Sequence, residues 1–97
     1  MKKDSKANNQ FNDFIPQATF DYHNLGVLNS YEIERYLLEF FQDCTFLGYK
    51  RVLVITGKGQ VIRPLVNKLL KQSDYVFEYK VAGYFNGQEG AFEVTLK

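Results

Sequence analysis

Residues 51–70, RVLVITGKGQVIRPLVNKLL, are predicted to form a strand, a tight turn and a helix in immediate succession. Residues 51–56 form a nearly continuous β-branched apolar run, which is typical of a central strand that is covered on both faces or paired in parallel. GKGQ predicts a turn, and an amphipathic helix is predicted from about Val61 to Gln72. Pro64 must lie in its first turn, because deeper inside it would break the helix. The apolar stripe of this helix is Leu65, Val66, Leu69 and Leu70.

The sequence before this stretch predicts another strand and a long helix. ATFDYH, residues 18–23, alternates apolar and polar side chains with the period of a half-buried strand. From Ser30 to Leu47, apolar residues recur at helical spacing, with Asn29 or Ser30 as N-cap and Gly48 as the C-terminal stop. The apolar positions of this helix are Ile33, Leu37, Phe40, Phe41, Cys44 and Leu47.

Two further strands are predicted near the C-terminus. They are YVFEYKVA at 75–82 and AFEVTL at 91–96, joined by the loop GYFNGQEG at 83–90. The order β-α-β-α-β-β predicts an α+β two-layer sandwich, in which a four-stranded mixed sheet carries both helices on one face. The other face of the sheet is expected to stay at least partly accessible.

Residues 1–17 are polar and lack a sustained period, so they are predicted to form a flexible arm before a domain at 18–97. Phe11, Phe14 and Ile15 could contact the surface of that domain. The first ten residues, MKKDSKANNQ, lack the apolar region of a signal peptide, and no apolar run approaches a membrane span. We therefore expect a cytoplasmic protein.

The composition is that of a folded domain, with 45% hydrophobic and 16% aromatic residues, which excludes a disordered chain. Cys44 is the single cysteine and His23 the single histidine, so an internal disulfide and a multi-cysteine zinc site are excluded. Beyond Asp21, the sequence places no acidic residue that would complete a two-metal carboxylate cluster. No cofactor is predicted, the sequence supports no divalent metal, and a metal-independent mechanism is preferred.

The net charge is only +1, but the charges are segregated along the chain. The first helix is acidic, whereas no acidic residue lies between Asp43 and Asp74. The basic residues of that interval are Lys50, Arg51, Lys58, Arg63, Lys68 and Lys71. Two interpretations remain open, namely two solvated helix faces or a basic surface that contacts nucleic acid.

Asp21 and His23 form the first candidate site. On a strand, residues two apart project from the same face, so the carboxylate could orient the imidazole as a general acid or base. The same spacing is also common by chance, and a histidine at a strand end is usually a surface residue. The spacing alone therefore leaves catalysis open.

The turn Thr56-Gly57-Lys58-Gly59 forms the second candidate site. Glycines allow close approach of a ligand to the backbone, and the following helix N-terminus offers N–H groups and a positive dipole end to a phosphate. Lys58 and Arg63 would neutralise phosphate charge. The turn lacks the spacing of the Walker A and dinucleotide motifs, and a plain β-to-α connection is an equal alternative.

The third candidate is the loop at 83–90, which contains Tyr84, Phe85 and Asn86. Two exposed aromatics beside glycines could stack on unpaired bases. They could equally fold back onto the core.

In order along the chain, FDYH, LGYKRVLVI, TGKG, IRPLVNKLL and GAFEVTL resemble the Smr (small MutS-related) domain from about Ala18 to Leu96. On these motifs the chain is identified as a free-standing member of that family. Three departures stand out: Asn24 follows the histidine where Gly is common, Phe20 replaces a usual leucine, and the loop from Asn24 to Ser30 is about three residues longer than usual.

The resemblance implies a nucleic-acid endonuclease, with RNA or DNA as partner and with a possible link to mRNA cleavage at stalled ribosomes. It assigns Asp21 and His23 to cleavage. It matches Gly57, Lys58 and Gly59 to the glycine loop of the family, and Arg63 falls near a basic position that opens the second helix. The full set of predicted nucleic-acid contacts is Thr56, Gly57, Lys58, Gly59, Arg63, Lys50, Arg51 and Lys68.

The leading hypothesis is therefore an endonuclease that prefers RNA. In it, His23, oriented by Asp21, deprotonates the attacking 2′-hydroxyl or protonates the leaving oxygen. The alternative is a non-catalytic module that binds RNA, a ribosome or a partner protein through the same basic surface. A third hypothesis is a protein-binding domain that uses the Phe-rich arm.

Overall fold

A computed structural model describes residues 14–97 of the chain. The helices are α1 (Ser30–Phe46) and α2 (Ile62–Gln72). The strands are β1 (Ala18–Asp21), β2 (Arg51–Ile55), β3 (Val76–Val81) and β4 (Ala91–Leu96). Short 3₁₀ turns occur at Tyr22–Asn24, Tyr84–Asn86 and Gln88–Gly90. In the described residues, no helix is long and apolar enough to cross a membrane.

The four strands form one mixed sheet in the order β1-β2-β4-β3. β1 pairs in parallel with β2, whereas β4 pairs antiparallel with both β2 and β3. The parallel register places Asp21 opposite Ile55, so the segments that follow β1 and β2 leave the sheet at the same edge. The predicted α+β two-layer sandwich is confirmed.

The main core lies between the two helices and one face of the sheet, as the apolar periodicity predicted. α1 and α2 contribute Ile33, Leu37, Phe41, Cys44, Val66 and Leu70, and the sheet contributes Val52, Val54, Val76, Phe92, Val94 and Leu96. The opposite face, called the open face below, carries a smaller apolar cluster of Leu53, Ala82 and Ala91 with Ile55 packed against it. Burial raises the pKa of the Cys44 thiol, with the neighbouring Asp43 charge acting in the same direction.

Side-chain and backbone caps set the ends of α1. Asn29 accepts a hydrogen bond from the backbone N–H of Glu32, whose carboxylate accepts one from the backbone N–H of Asn29 in return, which makes a capping box. At the other end, Gly48 has φ +79°, and the N–H groups of Gly48 and Tyr49 bond back to the last turn. The prediction of Leu47 in the apolar stripe is wrong, because the chain reverses at Gly48 and leaves Leu47 59% exposed.

β1 ends at Asp21, and the prediction that the strand extends to His23 is wrong. The Asp21 carboxylate accepts a hydrogen bond from the backbone N–H of His23 at 2.7 Å, which closes the 3₁₀ turn Tyr22–Asn24. Tyr22 is fully buried within this turn, and its hydroxyl donates to the carbonyl of Ile33 in α1 at 2.6 Å. Burial raises the pKa of the Tyr22 phenol, so the hydroxyl keeps the proton that it donates.

Residues 14–17 of the predicted arm lie against the domain. The Gln17 side chain accepts hydrogen bonds from the backbone N–H groups of Lys50 and Arg51. The carbonyl of Phe14 accepts one from the side-chain amide of Asn86. Residues 1–13, on which the rest of the flexible-arm prediction falls, lie outside the described residues.

Candidate functional site

A shallow depression of about 460 Å³ opens on the open face, at the edge where β1 and β2 end. We call it the cleft. It is lined by His23, Leu53, Ile55, Gly57, Lys58, Phe85, Asn86, Gly87 and Gly90. Three segments that are distant in sequence therefore meet here: the 3₁₀ turn after β1, the glycine turn after β2 and the loop before β4.

The glycine turn and the loop before β4 are joined by the backbone of Gly90. Its carbonyl accepts hydrogen bonds from the N–H groups of Thr56 at 2.9 Å and Gly57 at 3.0 Å. Gly57 has φ +76°, a conformation that favours glycine. The Thr56 side chain is buried, and its hydroxyl donates to the carbonyl of Gly57 at 2.8 Å. Thr56 therefore stabilises the turn, while Gly57 forms part of the cleft surface.

His23 is exposed at the rim of the cleft. A Cβ atom placed on Gly57 would lie 3.9 Å from Cδ2 of the His23 ring, so the imidazole edge borders the glycine turn. This neighbourhood follows from the parallel register of β1 and β2, which carries the segments after Asp21 and Ile55 to one edge of the sheet. His23 and the glycine turn, which the sequence predicted as two separate sites, thus border the same cleft.

Asp21 contacts the backbone of His23 and not its ring. Among the hydrogen bonds of residues 14–97, the one that joins these two residues runs from the His23 backbone N–H to the carboxylate. The prediction that the carboxylate orients the imidazole depended on both residues lying on one face of a strand, whereas His23 lies in the 3₁₀ turn after β1. In this geometry Asp21 positions His23 by holding the turn that presents it.

Lys58 and Gly59 lie exposed in the turn that leads to α2. The first residues of α2 have no side-chain cap, since Val61 occupies the N-cap position. The positive end of the helix dipole therefore lies just after the glycine turn, and the first turn of α2 leaves the N–H groups of Ile62 and Arg63 without a side-chain cap, while Pro64 has no N–H. Lys58 adds a full positive charge at the cleft itself.

Arg63 has a structural role beside this turn. Its Nε donates to the carbonyl of Glu89 at 2.7 Å, and its guanidinium lies 5.0 Å from the ring centroid of Phe92. These contacts connect α2 to the loop before β4. The side chain lies next to the cleft, but it is already engaged in holding the loop.

The remaining predicted cations lie elsewhere. Lys50 and Arg51 are at the start of β2, roughly 13 Å from its other end at about 3.3 Å per residue. There Lys50 donates to the carbonyl of Lys97 and Arg51 to that of Ile15. Lys68 is exposed on α2, more than a turn beyond Arg63. The structure therefore does not bring these three residues to the cleft, and their contact with nucleic acid stays a prediction.

The loop 83–90 is anchored by a residue that the sequence analysis did not single out, Glu93 of β4. Its side chain is 4% exposed, and Oε2 accepts hydrogen bonds from the Gly83 N–H at 2.8 Å and from the Asn86 amide at 3.0 Å. The Lys80 ammonium lies 3.9 Å from Oε1. A lone charge within the otherwise apolar run AFEV was the available signal, because a buried carboxylate requires such partners.

The aromatic pair of this loop is exposed, so the structure does not fold it onto the core. Tyr84 is 77% and Phe85 74% exposed, and their rings contact each other edge to face at 5.0 Å. Phe85 lines the cleft, whereas Tyr84 does not. Asn86 also lines the cleft, and its side-chain amide donates hydrogen bonds to Glu93 and to the carbonyl of Phe14.

A metal-ligand cluster or a second groove among the described residues would offer another candidate site. Between 14 and 97, no three His, Cys, Asp or Glu side chains come together as metal ligands. A second groove, of about 340 Å³, lies between α1 and the end of α2 and is lined mainly by apolar residues with Glu34 and Asp74. It contains none of the predicted site residues, so the cleft is the candidate site.

Comparison with known protein families gives a match over most of the chain. The family model described as Smr domain matches residues 23–97. The Endonuclease MutS2 of Fusobacterium nucleatum is 43% identical over 68 residues, and that of Finegoldia magna is 34% identical over 68 residues. Each alignment covers 69% of this chain but 8% of the relative, so the chain spans a small part of those proteins.

Solved structures agree with the family match. The crystal structure of the Smr domain of Thermus thermophilus MutS2 superposes with a TM-score of 0.73 and 20% identity, covering 82% of this chain and 98% of that one. YdaL, a stand-alone small MutS-related protein from Escherichia coli, gives a TM-score of 0.73 and 26% identity, covering 87% of this chain and 67% of that one. Because the family model spans most of its length, the chain belongs to the Smr domain family.

Proposed function

We propose that this domain binds RNA in the cleft and cleaves its phosphodiester backbone with His23. One observation carries the proposal: the single histidine of the chain borders the glycine turn that precedes α2, with Lys58 on the same cleft. A proton-transfer group and an anion-binding turn are thereby adjacent. That is the minimum arrangement for acid–base cleavage of a phosphodiester.

The proposed reaction uses the ribose itself as nucleophile. The 2′-oxygen attacks the adjacent phosphorus, so the bond from the 2′-oxygen to phosphorus forms while that from phosphorus to the 5′-oxygen breaks. His23 takes the proton of the 2′-hydroxyl or supplies one to the leaving 5′-oxygen, and the other proton exchanges with water. The products are a 2′,3′-cyclic phosphate and a 5′-hydroxyl end.

The surrounding residues have separate tasks in this proposal. The turn 57–59, the first N–H groups of α2 and the Lys58 ammonium hold the phosphate and stabilise the charge that develops on it. Asp21 is a positioning residue, since it holds the 3₁₀ turn that presents His23. The MutS2 relatives are endonucleases by name, which supports this function, although the chain covers 8% of those proteins.

A non-catalytic nucleic-acid- or ribosome-binding module is the second candidate. It is favoured by one observation: the Asp21 carboxylate bonds to the backbone and so does not hold the His23 ring in a fixed tautomer. Such a module would use the same cleft, Lys58 and exposed aromatics without forming products.

Cleavage products distinguish the two candidates. We expect the protein to cut an end-labelled single-stranded RNA into fragments with 2′,3′-cyclic phosphate and 5′-hydroxyl ends, with and without EDTA. An otherwise identical strand with 2′-deoxyribose at the cleaved position should bind but stay intact, because it lacks the nucleophile. Intact RNA together with a salt-sensitive gel shift would instead establish the binding module, and cleavage of the deoxy position would contradict the proposed use of the 2′-hydroxyl.

Replacing Lys58 with Ala is expected to weaken RNA binding and to flatten its dependence on salt. One phosphate contact accounts for a change of about one unit in the slope of log K against log salt concentration. The measurement is a titration of a labelled RNA at several salt concentrations. Lys71→Ala is the matched control, because it removes the same charge from the exposed end of α2, outside the cleft. Equal slopes for both variants would show that Lys58 makes no phosphate contact.

A further inference from the structure

The floor and one wall of the cleft are apolar, which phosphate binding does not explain. Leu53 and Ile55 of β2 form the floor, on the open face of the sheet. The Phe85 ring stands beside them and is 74% exposed. An exposed aromatic ring beside an apolar floor is costly to leave in water, and its planar surface is suited to a flat apolar ligand.

We infer that the cleft between Phe85 and the floor formed by Leu53 and Ile55 binds one unpaired nucleobase next to the phosphate held by the glycine turn. The inference rests on the nucleic-acid binding in the proposed function and names its substrate class, a single strand. The volume of about 460 Å³ falls within the roughly 300–1,000 Å³ of small-ligand pockets, and the cleft is open on one side for the backbone to leave.

The chemistry around the ring favours a nucleotide over other flat ligands. Lys58 and the glycine turn line the same cleft as Phe85, so a group that stacks on the ring lies next to a site for an anion. A nucleotide has this combination, a planar base joined to a phosphate. In a duplex the faces of the bases are covered by their neighbours, whereas a single strand can present a base for stacking.

The loop 83–90 provides an internal control. Tyr84 and Phe85 are adjacent aromatics of nearly equal exposure, at 77% and 74%. Only Phe85 lines the cleft, while Tyr84 packs edge to face against it from outside. If any exposed aromatic ring could bind the strand, loss of either side chain would lower the affinity. If the base binds in the cleft, only loss of Phe85 lowers it.

The test is a binding measurement with a probe that the proposed reaction cannot cut, a short fluorescent 2′-O-methyl oligouridylate. We expect Phe85→Ala to weaken its binding by about 5- to 150-fold, the range for loss of one stacked base. Tyr84→Ala should change it by less than about twofold. Phe85→Trp should retain binding, because it restores an aromatic face. Thermal unfolding of each variant, compared with the wild-type protein, checks that the fold is intact.

Three further probes examine the ligand class. A single strand of the same length without bases should bind equally to wild type and Phe85→Ala, and so should a duplex. Single-stranded DNA of the corresponding sequence should show the same dependence on Phe85, since the proposed contact is to the base; a dependence seen only with RNA would overturn the base as the ligand. The base would also be overturned as the ligand if Phe85→Ala bound oligouridylate as tightly as wild type. The same holds if Phe85→Ala lost as much affinity for the strand without bases as for oligouridylate.

These outcomes separate the inference from the proposed function. Salt-sensitive binding that does not depend on Phe85 overturns the base site. RNA cleavage is then tested separately, by the 2′,3′-cyclic phosphate and 5′-hydroxyl ends of its products. Dependence on Phe85 without any cleavage supports the base site and removes the catalytic part of the proposed function. Failure of the wild-type protein to bind any strand overturns both.

Discussion

Replacing His23 with Ala is expected to reduce the rate of RNA cleavage by about 10²- to 10⁴-fold, the usual contribution of a positioned general acid or base. His23 is the single histidine of the chain, so no other imidazole can replace it. RNA binding should change little, because Lys58, the glycine turn and Phe85 remain. Single-turnover cleavage at saturating protein measures the first effect, and titration of an uncleavable strand measures the second. Equal cleavage by wild type and variant would rule out the proposed role of His23.

Variants of Asp21 serve as the control for this experiment. Asp21→Asn keeps an oxygen that can accept the His23 N–H, whereas Asp21→Ala removes it. If Asp21 acts by holding the 3₁₀ turn, Asp21→Asn retains most of the cleavage rate and Asp21→Ala loses much of it. A large loss in both variants would show that the carboxylate charge acts on the imidazole directly.

Replacing Glu93 with Ala is expected to destabilise the protein by about 1–3 kcal/mol, the cost of leaving partly buried hydrogen-bond donors without their acceptor. The donors affected are the Gly83 N–H and the Asn86 amide. For a domain of this size, each kcal/mol lowers Tm by about 4–8 °C. Because the same contacts hold the loop that carries Phe85, hydrogen exchange of residues 83–90 should also increase. Binding of the oligouridylate should weaken in parallel.

Two matched variants identify the source of the Glu93 effect. Glu93→Gln keeps the shape of the side chain and one acceptor oxygen, so it should cost less than Glu93→Ala. Lys80→Ala should be within about 0.5 kcal/mol of wild type, because its ammonium is 3.9 Å from the carboxylate and the side chain is 67% exposed. A loss in Lys80→Ala as large as that in Glu93→Ala would assign the effect to the ion pair.

Much of this fold follows from local pattern. The β-branched run at 51–56 and the helical spacing of Ile33, Leu37 and Phe41 predicted elements that the structure contains. Helix ends were also predictable, since Asn29 and Gly48 act through their own side chain or backbone conformation. The same apolar periods also predicted which side chains are buried. The apolar faces of the two helices and of the sheet are removed from water together when the helices pack on one face of the sheet.

The candidate site was predictable only in part. The residue types in Asp21-x-His23 and in the glycine turn predicted acid–base and phosphate chemistry, which stays a prediction, and the structure places His23, Gly57 and Lys58 at one cleft. The backbone at His23 was predicted wrongly, because alternation cannot show that a side chain will cap a turn and end the strand two residues early. Glu93 was overlooked because its partners Gly83 and Asn86 approach it only when the chain turns between β3 and β4.

Local sequence was therefore sufficient for the helices, the central strand and the residue types available for chemistry, since periodicity, caps and turn residues act over a few positions. Which of those residues share a site was settled by long-range pairing. The parallel register of Asp21 with Ile55 brings His23 to Gly57 and Lys58, and the antiparallel pairing of β2 with β4 brings Phe85 and its loop to the same edge. Lys50 and Arg51 lie at the opposite end of β2 from the cleft, because the extended backbone of the strand separates its first residue from its last.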